Sequence, residues 1–273
     1  QKVYYHKLGT DQRQDLLIYE RPQNKDWGFG IEVSEKGEYL LLSISQGTDK
    51  RNRFFYKSLF EPKSQVVELI LNLEAEYEFL GNDGSVFYFK TDLDAPNGKV
   101  IAIDTRNSDK SQWQTIIPES TDPINNVAII NDHLVVSYLH DVLGQLSIYS
   151  MGGQKRQDVA LPGQGNVAGP FGKASKDYFY YVFNSYIQPE TTYKFDFKTA
   201  ESSVIAKPKV SFNPDDYVSE QVFYRSKDGT RVPMMLSYKK GLVKNAQNPT
   251  LLYAYGGFAI SMTPRFSPAN IAW

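Results

Sequence analysis

Tyr77–Thr91 reads YEFLGNDGSVFYFKT, and Lys99–Asn107 reads KVIAIDTRN. The first stretch is two aromatic-rich runs around Asn-Asp-Gly-Ser, which is hairpin turn chemistry. The second is another strand-like run, and WQTIIP, Trp113–Pro118, follows it. Together they read as four short strands in succession.

The same unit recurs along the chain. Its outer pairs are KVYYHKLG with DLLIYE, NRFFYKSLF with VVELIL, KVIAIDTRN with WQTIIP, QLSIYSMGG with QDVALP, and TYKFDFKTA with SSVIAK. Val3, Arg53, Val100, Leu146 and Tyr193 hold equivalent places roughly 47 residues apart, a spacing that suits propeller blades. An inner hairpin precedes each of the last four outer pairs, with the turns EKGE, NDGS, NDH and ASKD. LLLSI and FYYVF are near-continuous apolar runs, as expected of strands packed on both faces. The pattern predicts a mostly β chain with four-stranded blades near 27–73, 77–118, 125–162 and 165–207.

The first unit offers only an outer pair, residues 1–20. Two readings follow. One places its inner strands before Gln1, since the sequence does not open on methionine. Alternatively the hairpin EQVFYRSKDGTRVPMMLSYKK, Glu220–Lys240, completes that blade and closes a five-bladed ring.

Composition narrows the function classes. The chain has 273 residues, 41% of them hydrophobic, and a net charge of −1. Nothing there recommends nucleic acid or an anionic membrane surface as a partner. No apolar run approaches the roughly 20 residues that span a bilayer. Cysteine is absent, so neither a disulfide framework nor a thiol nucleophile is available. The three histidines, His6, His133 and His140, are scattered and form no HExxH pattern. No metal site and no cofactor are expected.

After residue 208 the texture changes. A loop and a long hairpin lead through the polar connection KKGLVKNAQNP to TLLYAY, Thr250–Tyr255, and then to GGF. TLLYAY has the composition of a buried parallel strand. Two adjacent glycines after it mark a sharp turn.

Here the residues carry a resemblance. FYRSKDGTRVPMMLSYKKG followed by NPTLLYAYGGFAISMTPRFS resembles the entry into the peptidase domain of the prolyl oligopeptidase family. The likeness extends upstream through KVYYHKLGTDQ, NRFFY, VFYFKTDLDAPNGKVIAID and VVSYLHDV, and so covers essentially the whole chain. That family sets a seven-bladed propeller over an α/β-hydrolase domain. It cleaves short peptides on the carboxyl side of proline with a Ser-Asp-His triad. The resemblance implies propeller blades over residues 1–208 and the first strands of the hydrolase domain over 209–273. It favours missing upstream blades over the five-bladed ring.

A hydrolase of that fold carries its nucleophile on a Gly-x-Ser-x-Gly elbow. None occurs in the 273 residues. The catalytic Ser, Asp and His are expected beyond Trp273, and the remainder of the peptidase domain is an expected partner. His140-Asp141 does not replace them, because neighbours on a strand point to opposite faces. What the resemblance assigns to this chain is Tyr255, as an oxyanion-hole donor. Gly256 and Gly257 would turn the chain beneath the substrate, and Phe258 would wall the proline pocket. An aromatic wall suits a flat apolar ring. Thr48, in the loop Gln46-Gly47-Thr48, is a weaker substrate contact that reads equally as a hairpin end. Lys50, Arg51 and Arg53 read as a solvated face.

Two function classes emerge. One is part of a cytoplasmic, proline-specific serine oligopeptidase acting on short proline-containing peptides, with no nucleic-acid or membrane partner. The other is a non-catalytic propeller that serves as a protein-interaction module. YAYGGF separates them, because a closing blade strand has no use for adjacent glycines.

Overall fold

Aromatic and β-branched residues at alternate positions, cut by short polar turns, leave few options besides antiparallel meanders. A computed structural model of the chain, describing residues 1–61, 63–258 and 260–273, has that form. It divides into two compact units, Gln1–Thr121 and Asp122–Trp273.

In the first unit, β1 (Lys2–Tyr5) and β2 (Leu16–Glu20) form a two-stranded hairpin. Next comes a four-stranded sheet of β3 (Trp27–Val33), β4 (Tyr39–Gln46), β5 (Arg53–Ser58) and β6 (Val67–Ile70). A second follows, of β7 (Tyr77–Asp83), β8 (Val86–Thr91), β9 (Lys99–Asp104) and β10 (Gln114–Ile117). Each sheet is a meander in sequence order, as in a propeller blade.

The second unit repeats the design. Its sheets are β11 (Ile124–Ile130) to β14 (Lys155–Asp158), through β12 (His133–His140) and β13 (Leu143–Ser150). Then come β15 (Asn166–Phe171), β16 (Tyr178–Asn184), β17 (Thr191–Asp196) and β18 (Glu201–Ala206). The four sheets fall where the repeat puts them. The long hairpin β19 (Tyr217–Arg225) and β20 (Arg231–Lys239) is a two-stranded sheet of its own. The strands Glu220–Lys240 therefore do not join the β1–β2 sheet, and the five-bladed ring is not formed. The one α-helix among the described residues is short, Pro268–Ala272.

Within the first unit, one aromatic layer joins the two sheets. Phe54 stacks on Phe79 at 5.4 Å and meets Phe89 edge-on at 4.8 Å. Tyr56 and Tyr39 meet Phe87 at 5.1 and 4.9 Å. Edge-to-face geometry is the favoured one for such rings. The β1–β2 hairpin seals the other face of the β3–β6 sheet. Val3 packs with Trp27, Leu42, Ile44 and Phe55. Tyr19 packs edge-on against Phe29 and Phe55, and its hydroxyl donates to Glu68 at 2.9 Å.

A polar clamp fixes the register of the two sheets. Asn52 is only 9% exposed. Its backbone N–H donates to the Ala75 carbonyl at 3.1 Å. Its Nδ2 donates to the Tyr77 carbonyl at 3.0 Å and to Ser43 Oγ at 3.1 Å, and its Oδ1 accepts from the Tyr77 N–H at 2.6 Å. The side chain thus completes the start of β7 as a neighbouring strand would. In the second unit a close approach does the same work. Gly144 N–H donates to the Gly165 carbonyl at 2.9 Å, and a Cβ on Gly144 would stand 2.7 Å from the Val167 nitrogen. Only glycine permits that contact.

Two stability predictions follow from this packing. Asn52→Ala strands the Tyr77 N–H and C=O away from water, and each orphaned group costs on the order of 1–3 kcal/mol. We expect a loss of about 2–4 kcal/mol in urea unfolding, and a loss under about 0.5 kcal/mol would refute the clamp. Burial pushes the Tyr77 and Tyr138 hydroxyls well above the usual tyrosine range, with Glu74 adding to the first and Tyr149 to the second. A raised folded pKa leaves this stability intact below about pH 10 and removes it as pH rises further. Tyrosine absorbance followed with circular dichroism should show these hydroxyls ionising only as the sheets melt.

Candidate functional site

The segment expected to carry chemistry is Leu251–Phe258. The sequence predicts a buried strand at Leu251–Tyr255. The structure corrects this: no residue from 250 to 256 pairs in a strand. The reason is simple. A parallel strand exists only beside neighbours, and none of the described strands lies alongside it. Its side chains are left in solvent, with Leu252 78% and Tyr253 70% exposed.

The turn is present in altered form. Gly256 takes the left-handed conformation at φ 68, and Phe258 does so at φ 54. Gly257 does not. A Cβ there would meet only the Tyr255 ring, at 3.5 Å, which is ordinary contact. The steric demand expected of Gly257 therefore falls on Gly256. Tyr255 is half exposed, and its ring lies over Gly257. Phe258 is 90% exposed. The four residues stand together because they are contiguous. Thr48 sits in the turn after β4, beside Gly47 at φ 58, is exposed, and belongs to the other compact unit.

The histidines find carboxylate or aromatic partners. His6 Nδ1 lies 2.6 Å from Asp15, and His140 Nδ1 lies 2.8 Å from Asp122. Asp141, the sequence neighbour of His140, is farther, at 3.9 Å. His133 stacks on Phe197 at 5.2 Å. Among the described residues no three His, Asp or Glu side chains cluster as a metal site would require. No helix among them is long and apolar enough to cross a membrane.

In the basic cluster Lys50 and Arg51 are exposed, as a solvated face requires, and Arg53 differs. Arg53 lies over the Trp27 ring at 4.4 Å and donates to the Leu71 carbonyl at 2.8 Å. Burial lowers its pKa from the usual arginine value. Lys50 pairs with Asp92 at 2.6 Å. The Arg51 guanidinium beside Asp49 holds that carboxyl down at about 2.

Comparison with known proteins adds to this geometry. Residues 1–208 match the family description "Prolyl oligopeptidase, N-terminal beta-propeller domain". The chain is similar to the prolyl endopeptidase of Elizabethkingia meningoseptica, 39% identical over 272 residues. That match takes in 100% of this chain and 38% of the relative. It is also similar to a dual function macrocyclase-peptidase of Galerina marginata, 33% identical over 97% of this chain and 37% of that protein. Among solved structures, prolyl oligopeptidase B from Galerina marginata in its apo form superposes with a TM-score of 0.86 at 31% identity, covering 98% of this chain and 39% of that one. The same protein bound to a 35mer hydrolysis and macrocyclization substrate superposes at 0.84, covering 98% of this chain and 38% of that one. The chain thus spans about two-fifths of the length of the relatives it matches.

The exposed segment has a direct consequence. Unpaired, solvent-exposed backbone is where proteases cut first. Brief chymotrypsin treatment should cleave between Leu251 and Phe258 before any blade is cut. The nicked protein should melt within about 2 °C of the intact chain, a shift worth under ~1 kcal/mol. First cleavage within β11–β18 would show that the tail is protected.

Proposed function

This chain belongs to the prolyl oligopeptidase family, and on that premise we propose that it is part of a proline-specific serine oligopeptidase. Residues 1–208 are propeller blades of a seven-bladed ring, and 209–273 begin the α/β-hydrolase domain. The observation that carries the reading is the reach of the likeness. The match to prolyl endopeptidase runs over the entire chain, past the propeller and through YAYGGF. The exposed apolar side chains of Leu251, Leu252, Tyr253 and Tyr255 support it further, since apolar surface of that kind marks an interaction face. The partner for that face is the remainder of the peptidase domain.

In this reading the blades limit access to the peptidase site, and the substrates are short peptides containing proline. A serine supplied by that remainder attacks the carbonyl after proline, with a histidine taking its proton and an aspartate orienting the histidine. Charge develops on the carbonyl oxygen. The Tyr255 hydroxyl donates a hydrogen bond to it, and one such donor is worth roughly 3 kcal/mol of barrier. Gly256 supplies the left-handed turn that brings the backbone under the substrate. Phe258 packs against the proline ring, and Thr48 is a further substrate contact. The location that fits this activity is the cytoplasm.

The test has two arms. The 273-residue chain alone should not hydrolyse a fluorogenic peptide with an internal proline, because it holds no nucleophile elbow; turnover by pure chain would overturn the reading. In the longer protein, Tyr255→Phe removes the donor and keeps the ring. We expect kcat/KM to fall by roughly 10- to 1000-fold at unchanged stability. An unchanged value where chemistry limits the rate would reduce Tyr255 to a packing residue.

A further inference from the structure

The β3–β6 and β7–β10 sheets leave an open groove of about 620 Å³ between their first strands. That volume lies within the roughly 300–1,000 Å³ of sites that hold small ligands and peptide side chains. Its floor is apolar, formed by Leu41 and the stacked Phe54 and Phe79. One wall is small. Gly30 and Ser43 sit opposite each other across the β3–β4 ladder and leave that side open.

The rim is acidic. Glu32, Asp49, Glu76 and Glu78 line the groove together with two cations, Lys50 and Arg51. Those two cations are already engaged. Arg51 forks onto Asp49, and the Lys50 ammonium is bonded to Asp92. Lys90 pairs with Glu78 at 2.9 Å. Among the described residues no ion pair or hydrogen bond reaches the carboxylates of Glu32 and Glu76, although the negative charge of Glu76 reaches Lys50. Both glutamates are exposed. β3 is also the edge strand of its sheet, and Gly30–Val33 lies open to solvent. An unpaired edge is a template for an added strand.

We infer that this groove docks an extended, basic peptide segment, with Lys or Arg side chains at Glu32 and Glu76 and an apolar side chain over Phe54 and Phe79. An acidic segment is excluded by the rim, because like charges so placed repel. A wholly apolar one would leave two carboxylates unmatched. The inference concerns binding alone and does not rest on the peptidase reading.

Fluorescence anisotropy tests it, using the 273-residue chain and a fluorescein-labelled hexapeptide with Lys and Arg flanking Leu-Val. Binding should be in the micromolar range and weaken as salt is added. Glu32→Gln with Glu76→Gln should weaken it by roughly 5- to 20-fold, as two exposed charge contacts are lost. Glu201→Gln, on β18 in the other unit, should have no effect. Gly30→Val tests the groove itself. A Cβ there meets Ser43 at no closer than 3.6 Å, so the strand accepts it, while the added methyls fill the open wall. That variant should weaken binding without changing the charge. If it melts early, the exposed glutamate pair carries the decision. Three results would overturn the inference: no binding at millimolar peptide, equal binding of a peptide with Glu in place of Lys and Arg, or unchanged affinity in the double glutamine variant.

Discussion

A four-stranded sheet whose middle strands are apolar on both faces cannot stand alone in water, and the rest of the structure answers to that constraint. Phe87 and Phe89 occupy one face of β8 and Tyr88 the other, and all three are buried. Leu134–Tyr138 on β12 is buried without a break. Each large side chain so placed contributes about 1.5–3 kcal/mol, provided that something covers it. Sheet must therefore pack on sheet, and the interval between blades is the length of chain needed to make one meander and step across.

Burial of this kind holds sheets together but says little about their register. Aromatic faces slide, and area is indifferent to direction. Register comes from the few polar contacts that cannot be shifted. Asn52 uses its backbone N–H on Ala75, just before β7, and its side-chain amide donor and Oδ1 on Tyr77, the first residue of β7. Gly144 and Gly165 bring two sheets to backbone contact where a side chain would block it. The ion pairs contribute less. Lys2 with Glu20 and Lys110 with Glu74 are solvent-facing, and such pairs are worth about 0–1 kcal/mol.

The blades were legible because their signal is local and repeated. Turn residues, alternation and a period of roughly 47 residues all agree, and agreement across levels is what makes a fold readable. The clamp was not legible. Asn52 reads as one polar residue before a strand, and its partners lie 25 residues away. Arg53 was misread for the same reason, since nothing near it in sequence announces the Trp27 ring. Leu251–Tyr255 failed differently. Its composition is that of a buried strand, but a strand is a relation between chains of backbone, and composition describes only one side of it. The glycine pair was read as a unit, whereas backbone geometry separates the two, with φ 68 at Gly256 alone.

The same distinction bears on the chemistry proposed for Tyr255. A hydroxyl stabilises a developing oxyanion well when it is held still and water is excluded. In this chain Tyr255 is half exposed, and its ring lies over Gly257. Water would compete for the hydroxyl, and the strength of its hydrogen bond would be set by a high dielectric. For Tyr255 to act as the proposed donor, the exposed apolar residues around it must be covered, because that same covering removes water and fixes the ring. Folding of the segment and formation of the oxyanion site are then one event. In the proposed reading, the part of the blades is to present a surface beside which the remainder of the peptidase domain would assemble.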